Sequence, residues 1–239
     1  MEKGTISNYR GRAEFTGFAF VLLLIIIVTV LPFFGELFKQ DSGMTLGLVI
    51  HGFLYLGWYV LFWHQSRLVG GGYVKRHKML GKISIAFFTL LLISGLQMLE
   101  AVRETYSASW EPWYLISRTS FVAAITHTTV FFAAYFVLAL WKRRDPASHK
   151  RYMLLASLSM VAASLTRVVY LPFVPLDGTA LTLLGTFGLF AVPMVMDKKK
   201  QGRVHPVLKW GTLVYVITLI ISMAILPGMT QIQNLAFGL

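Results

Sequence analysis

The stretch SHKRYMLLASLSMVAASLTRVVYLP, residues 148–172, is a long apolar run with a His-Lys-Arg cluster at one end and a lone arginine near the other. A straight helix would hold His149 and Arg167 on one face, roughly 27 Å apart. That distance is close to the thickness of the hydrocarbon core of a bilayer, about 30 Å. The stretch therefore predicts a membrane-spanning helix with a titratable ring at its entrance and a fixed charge at its exit.

We expect this helix to turn one face inward along its whole length. The residues of that face recur at helical spacing: His149, Met153, Ala156, Met160, Ala163 and Arg167. Small side chains on the face would admit a flat cofactor or a close neighbouring helix, while the two ends present a ligand and an anion clamp.

The composition places the whole chain in the membrane class. Of its 239 residues 56% are hydrophobic and only 13% are charged, whereas soluble domains carry about a quarter charged residues. The absence of cysteine excludes disulfides, iron–sulfur ligands, thiolate zinc sites and covalent haem attachment through cysteine. The net charge of +12 resides in short segments between apolar runs, which indicates membrane topology and not a nucleic-acid partner.

Seven apolar stretches are long enough, or nearly so, to span a bilayer as helices. They are Thr16–Phe34, Met44–Trp63, Leu80–Leu99, Ser117–Trp141, Tyr152–Leu171, Thr179–Met196 and Val207–Leu226. The loops between them are too short for a separate soluble domain. The sequence thus predicts an all-α, polytopic membrane protein, a seven-helix transmembrane bundle formed by residues 1–239 as a single domain.

Lysine and arginine give the predicted orientation. The N-terminal tail holds three of them, and the segments 64–82, 142–151 and 198–209 hold five each, or 18 of the 22 in the chain. Cytoplasmic loops carry this excess, so we expect the N-terminus inside and the C-terminus outside. The sequence therefore predicts a multi-pass protein of the cell's inner (plasma) membrane, in contact with the lipid bilayer.

Four of the six histidines form two predicted pairs at two depths. His51 and His127 lie roughly 10–15 Å below the outer surface, where ionisable groups are costly and usually functional. His77 and His149 lie at the cytoplasmic entrances of the third and fifth spans. Facing helices that offer two imidazoles at equal depth can ligate one haem iron axially.

Plainer interpretations stand beside this one. An intramembrane histidine often bonds across helices to a hydroxyl group, which is the alternative for His51 and His127. His77 and His149 lie within basic clusters, where solvation or contact with lipid headgroups accounts for them. His64 and His205 lie at the cytoplasmic edges of spans, and we expect them to be solvated.

Three stretches, VIHGFLYLGWYVLF (residues 49–62), KRHKMLGKISI (residues 75–85) and the opening stretch, resemble an uncharacterised bacterial family of multi-pass membrane proteins. The family pattern has a histidine in an early span, a His-Arg/Lys-x-x-Gly entrance and a His-Arg/Lys-x-x-Met entrance whose helix ends in Arg. The matching positions are His51, His77, Lys78, Gly81, His149, Lys150, Met153 and Arg167. The resemblance covers about half of the chain and implies no function.

The four central spans also resemble, more distantly, the cytochrome b561 and transmembrane ferric reductase group. That group carries two b-type haems, held by one histidine on each of four consecutive helices in alternation. The resemblance implies one or two haem b groups, ligated by His51 with His127 and by His77 with His149. It implies a transmembrane oxidoreductase that passes electrons from a quinol or small reductant to an acceptor.

Arg167 has two candidate roles near the predicted outer side. An intramembrane guanidinium needs an anionic partner and binds planar carboxylates through two hydrogen bonds. Under the haem hypothesis Arg167 would clamp a haem propionate or a small anionic substrate. Alternatively, Arg167 would pair with Asp177 and brace the LPFVPLDG turn, or pair with Glu100.

Two other classes remain open from the sequence. Seven helices with an internal N-terminus suit a membrane zinc hydrolase that uses cytoplasmic-side histidines, although no intramembrane HxxxH signature appears. A non-enzymatic transporter or assembly factor is the other, and broken helices would support a carrier. A lysine for a retinal Schiff base, a P-loop and the motifs of soluble hydrolases do not occur in the expected contexts.

Overall fold

A computed structural model describes residues 14–36, 39, 45–167 and 178–238, and every regular element within them is a helix. In chain order these are α1 Thr16–Glu36, α2 Leu46–Gly70, α3 Val74–Arg103, α4 Pro112–Trp141, α5 Pro146–Ser159, α6 Val161–Leu165, α7 Gly178–Gln201, α8 Pro206–Ile220 and α9 Thr230–Phe237. A π-helical stretch, Ile221–Ile225, and a 3-10 turn, Leu226–Gly228, join α8 to α9. The predicted all-α class is confirmed for this part of the chain.

Within the part of the chain that the structure describes, five helices are long and apolar enough to cross a membrane. They are Leu46–Gly70, Val74–Arg103, Pro112–Trp141, Leu181–Gln201 and Pro206–Gly228. Large apolar side chains such as Leu96, Val130 and Ile217 stand exposed on them, as expected of surfaces that meet lipid. The second, third, fourth, sixth and seventh predicted spans are therefore helices of spanning length, while the count of seven and the orientation of the termini remain predictions.

Local sequence signals start two of the helices, α5 and α8. Asp145 precedes Pro146, and its carboxylate accepts a hydrogen bond from the backbone N–H of Ala147 at 3.0 Å. His205 precedes Pro206 at the start of α8 in the same way, and its Nδ1 accepts from the N–H of Val207 at 3.2 Å. A capping acceptor followed by proline at the first helical position is a strong start signal, because proline lacks the N–H that would otherwise go unsatisfied.

The predicted fifth span is not one straight helix, so that prediction was wrong. It breaks at Met160, between α5 and α6. The Ser159 hydroxyl donates back to the carbonyl of Ala156 at 2.8 Å, while the carbonyl of Ser159 accepts from the Tyr215 hydroxyl at 2.9 Å. The N–H of Ala163 bonds the carbonyl of Met160 at 3.2 Å instead of the carbonyl one residue earlier. Hydroxyl groups that compete for helix carbonyls bend or interrupt the helix.

The single inward face predicted for this stretch was also wrong. Residues 154–161 are buried on every side, so that part of α5 has no lipid-facing surface. Ala163, which the pattern placed inside, is exposed, and His149 and Met153 are only half-buried. Burial in this region follows contact with neighbouring helices, such as α4 and α8, and not one stripe of the α5 surface.

Pro227 explains why α8 ends in irregular turns. Proline has no N–H, so the carbonyl of Met223, one turn earlier, loses its backbone donor. The single hydroxyl proton of Ser120 in α4 is shared between that carbonyl and the carbonyl of Ile116, each at 3.0 Å. Neighbouring hydroxyl groups commonly satisfy the carbonyls that proline frees in membrane helices.

The described residues divide into two compact units. The first comes from residues 1–94 and 164–183, and within it α1 packs against α2, with a hydrogen bond of 2.7 Å between the hydroxyls of Thr16 and Ser66. The second comes from residues 95–163 and 184–239, where α4 packs against α5 and α9. The predicted single transmembrane domain stays a prediction.

Candidate functional sites

His51 lies in the second turn of α2 with its ring oriented by a serine of α3. Its Nδ1 is 3.0 Å from the Ser94 hydroxyl, and that hydroxyl donates its own proton to the carbonyl of Leu91 at 2.9 Å. The Ser94 oxygen must therefore accept from the Nδ1–H of His51. In the neutral ring, Nε2 then carries the lone pair. On one side of His51 the helix surface is open, since a Cβ placed on Gly52 would meet no atom within 4 Å.

One turn along α2, Tyr55 continues the same polar cluster. Its ring stacks on that of His51 with centroids 6.3 Å apart, and its hydroxyl accepts a hydrogen bond of 2.9 Å from Ser164. Tyr55 and Ser164 are both buried. Arg167 lies just beyond Ser164, and its positive charge acts on both His51 and Tyr55. An imidazole, a phenol and a guanidinium thus share one environment in the first unit.

His127 lies midway along α4, buried in the second unit. Its Nε2 is 2.8 Å from the Thr218 hydroxyl, which donates its own proton to the carbonyl of Val214 at 2.7 Å. Thr218 must then accept from Nε2–H, so the lone pair of the neutral ring lies on Nδ1. That nitrogen is buried without a hydrogen-bond partner among the described residues. Phe131 and Tyr215 hold the ring, with centroid distances of 4.4 and 4.8 Å.

The two histidines of the predicted inner pair carry opposite tautomers. His149, in the first turn of α5, donates from Nδ1 to the carbonyl of Ala139 at 2.8 Å. His77, in the first turn of α3, accepts at Nδ1 from the Gln65 amide at 2.7 Å, when the amide is oriented so that its oxygen also accepts from the N–H of Gly81 at 3.0 Å. The proton of the neutral His77 ring therefore lies on Nε2.

The most fully buried charged group was missed by the sequence analysis. Arg151 of α5 and Asp197 of α7 are both 0% exposed and form a two-pronged ion pair, with Nε–Oδ2 and Nη2–Oδ1 distances of 2.8 and 2.5 Å. Nη1 of Arg151 also donates to the carbonyl of Ala147 at 2.8 Å. In the sequence, Asp197 is a single acidic residue between an apolar run and three lysines. Such a position is easily taken for the solvated end of a helix.

His205 adjoins this cluster through its backbone and is half-buried, so its ring is less solvated than the sequence predicts. Its backbone N–H donates to Asp197 Oδ2 at 3.1 Å while its ring caps α8. Burial, and then the positive charge of Arg151, hold the pKa of His205 below its ordinary value of 6.5. His64, by contrast, is exposed, as predicted.

The other predicted groups are placed as follows. Glu100 pairs with Arg103 at 3.1 Å, and Asp177, the other predicted partner of Arg167, lies outside the described residues. Within residues 14–36, 45–167 and 178–238, no three His, Asp or Glu side chains form a group that could hold a metal ion. The pairings of His51 with His127 and of His77 with His149 stay predictions.

Known proteins add no assignment. The chain matches no family model, no curated protein and no solved structure. Function must therefore be argued from the residues themselves.

Proposed function

We propose that the protein is an integral membrane haem b protein that carries electrons, and that His51 and His127 would hold the haem iron. The observation that carries the proposal is the orientation of His51. A metal-bound histidine almost always donates its second ring N–H to a fixed acceptor, which sets the tautomer. The hydrogen bond from His51 Nδ1 to Ser94 is of this kind, and it leaves the Nε2 lone pair for iron.

The surroundings of His127 fit the same role by a different route. Its Nδ1 lone pair is buried and has no protein partner in the described chain, which costs free energy unless something binds it. Either imidazole nitrogen can ligate a metal. The rings of Phe131 and Tyr215 pack against the imidazole, so the ligand would be rigid.

Haem would supply reversible one-electron chemistry, and the chain's own residues would position it and set its charge environment. Ser94 would fix the ring of His51, and the charge of Arg167 near that ring would attract a propionate or an anionic substrate. The proposal includes a quinol or other small reductant as the electron donor and an acceptor across or within the plasma membrane. The protein would then be an oxidoreductase.

We confine the proposal to one haem. His77 would have to give up its hydrogen bond from Gln65 and change tautomer before its Nε2 could bind iron. His149 needs no such change, because its Nδ1–H already donates to a backbone carbonyl.

The experiment is haem content per chain in four purified variants. His51→Ala and His127→Ala should each lose the haem, and Ser94→Ala should lower haem affinity about 10–100-fold because it removes the bond that orients His51. His64→Ala, at an exposed ring, is the matched control and should retain full haem. Full occupancy in both the His51 and His127 variants would overturn the proposal.

A carrier is the second candidate, favoured by the break at Met160. Discontinuous helices place binding groups at membrane depth in transporters. Four residues after the break, Ser164 bonds Tyr55, and Arg167 follows one turn later. Uptake of a small carboxylate by haem-free protein in vesicles, abolished by Arg167→Gln, would favour the carrier over the haem protein.

A further inference from the structure

Arg118 is a cation near the start of α4 that neither the haem proposal nor the carrier proposal uses. It lies in the second turn of the helix, at the end opposite the basic segment 142–144. The predicted topology puts this end at the outer face of the membrane. Arg118 is half-buried in a helix whose first eighteen or so residues are otherwise without charge.

The guanidinium of Arg118 makes few hydrogen bonds with the described residues. Its Nη2 donates to the Thr105 hydroxyl at 2.9 Å, and this is its only hydrogen bond among the described residues. Thr105 gives its own proton to the carbonyl of Val102 at 2.7 Å, so it can only accept from Arg118. Nε of Arg118 is buried and has no hydrogen-bond partner within the described part of the chain. No carboxylate of the described chain pairs with this charge, which has five N–H donors to satisfy.

Aromatic rings hold the guanidinium in place. Its central carbon lies 5.7 Å from the ring centre of Trp110 and 5.6 Å from that of Phe121. Trp110 in turn packs edge-on against Tyr114 and against Phe237 of α9, at 5.0 and 5.5 Å. A cation packed against aromatic rings keeps its charge and its N–H donors while it loses freedom to move.

The neighbouring Arg103, at the same end of the helices, does have partners for its hydrogen-bond donors. It binds Glu100 at 3.1 Å and donates from Nε to the carbonyl of Ala236 at 2.7 Å, which fastens α9. Arg118, by contrast, has neither an acidic partner nor a helix end to cap among residues 14–36, 45–167 and 178–238. The exposed Trp113 and Tyr114 beside it are the side chains that sit at lipid headgroup level.

We propose that Arg118 holds a phosphate-type oxyanion, supplied either by the headgroup of a phospholipid or by a soluble ion. A guanidinium binds phosphate oxygens through parallel hydrogen bonds, and such charge-assisted bonds are the strong ones. Thr105 and the rings of Trp110 and Phe121 fix the donor, and the oxyanion completes the charge balance. The site is independent of haem binding.

The test measures apparent Kd from the rise of Tm on ligand addition to full-length protein in dodecyl maltoside. The probes are dioleoylphosphatidylglycerol, inorganic phosphate and dioleoylglycerol, which has the same acyl chains without phosphate. Arg118→Gln should weaken phosphatidylglycerol binding about tenfold or more, the value of a charge-assisted hydrogen bond. The control is Arg76→Gln, an exposed arginine over the Tyr73 ring, which should change Kd less than about twofold.

Inorganic phosphate that raises Tm through Arg118 would assign the site to a soluble ion, and a response to phosphatidylglycerol alone would assign it to lipid. If Arg118→Gln does not fold, the same affinities are measured for Arg118→Lys, and the responses of the wild-type protein to phosphatidylglycerol and to dioleoylglycerol are compared. Equal stabilisation by those two lipids, with no response to inorganic phosphate, would overturn the proposal. Unchanged phosphate and phosphatidylglycerol affinity in either Arg118 variant would overturn it as well.

Discussion

Removal of the Asp197 carboxylate should be among the most damaging single changes to this protein. Asp197→Ala removes the acceptor of three hydrogen bonds, those from the buried Nε and Nη2 of Arg151 and from the part-buried backbone N–H of His205. Each stranded donor costs about 1–3 kcal/mol, and loss of one partner of a buried ion pair costs about 3–5 kcal/mol in total. We expect a loss of about 3–5 kcal/mol in the free energy of unfolding.

Denaturant unfolding in detergent micelles, followed by tryptophan fluorescence, measures this loss. The matched control is Glu100→Ala, which breaks an exposed pair with Arg103 and should cost less than about 1 kcal/mol. Arg151→Met combined with Asp197→Leu should recover most of the loss, because no buried charge is then unpaired. Equal destabilisation by Asp197→Ala and Glu100→Ala would refute the assignment of a buried, structure-determining ion pair.

Three further predictions concern the helix ends and contacts. The folded protein holds the pKa of His205 below 6.5, so the unfolded state binds a proton more readily, and stability should fall as the pH drops from about 7.5 to about 5.5. His205→Asn, which can cap α8 but does not titrate, should flatten that dependence in a series of Tm measurements against pH. Ser120→Ala should cost about 1 kcal/mol in urea unfolding by stranding the Met223 carbonyl, and much less in a Pro227→Ala background that restores a backbone donor. Gly211→Ala should lower the free energy of unfolding by about 1–3 kcal/mol, because its Cβ would lie 2.5 Å from Leu155. The control is Gly188→Ala, where the added Cβ meets no atom within 4 Å, and this change should be neutral or stabilising. Equal Tm values for the two variants would contradict the packing.

The sequence predicts the helices well because the hydropathy of a spanning segment is a local property. Five apolar runs became helices of spanning length, and the proline at the start of α4, α5 and α8 marked their first turns. The same local logic failed at Met160. The break there depends on Tyr215, 56 residues further along the chain, which takes the carbonyl of Ser159. A periodic pattern cannot reveal a competitor for a carbonyl that arrives from another helix.

The candidate sites were predictable only in part for the same reason. Residue counting predicts that His51 and His127 lie deep within their spans, and each ring bonds a hydroxyl group of another helix. Their tautomers follow from Ser94 and Thr218, which stand on other helices. Asp197 was overlooked because its partner, Arg151, is 46 residues away and sits in a basic cluster that topology alone explains.

The most direct test of the haem proposal is the reduced-minus-oxidised absorption spectrum of the full-length protein, purified from cells supplied with haem. Two imidazole ligands predict the sharp bands of six-coordinate low-spin haem b, present in the wild type and in His64→Ala and absent from His51→Ala and His127→Ala. A folded wild-type protein with a flat difference spectrum would contradict the proposal.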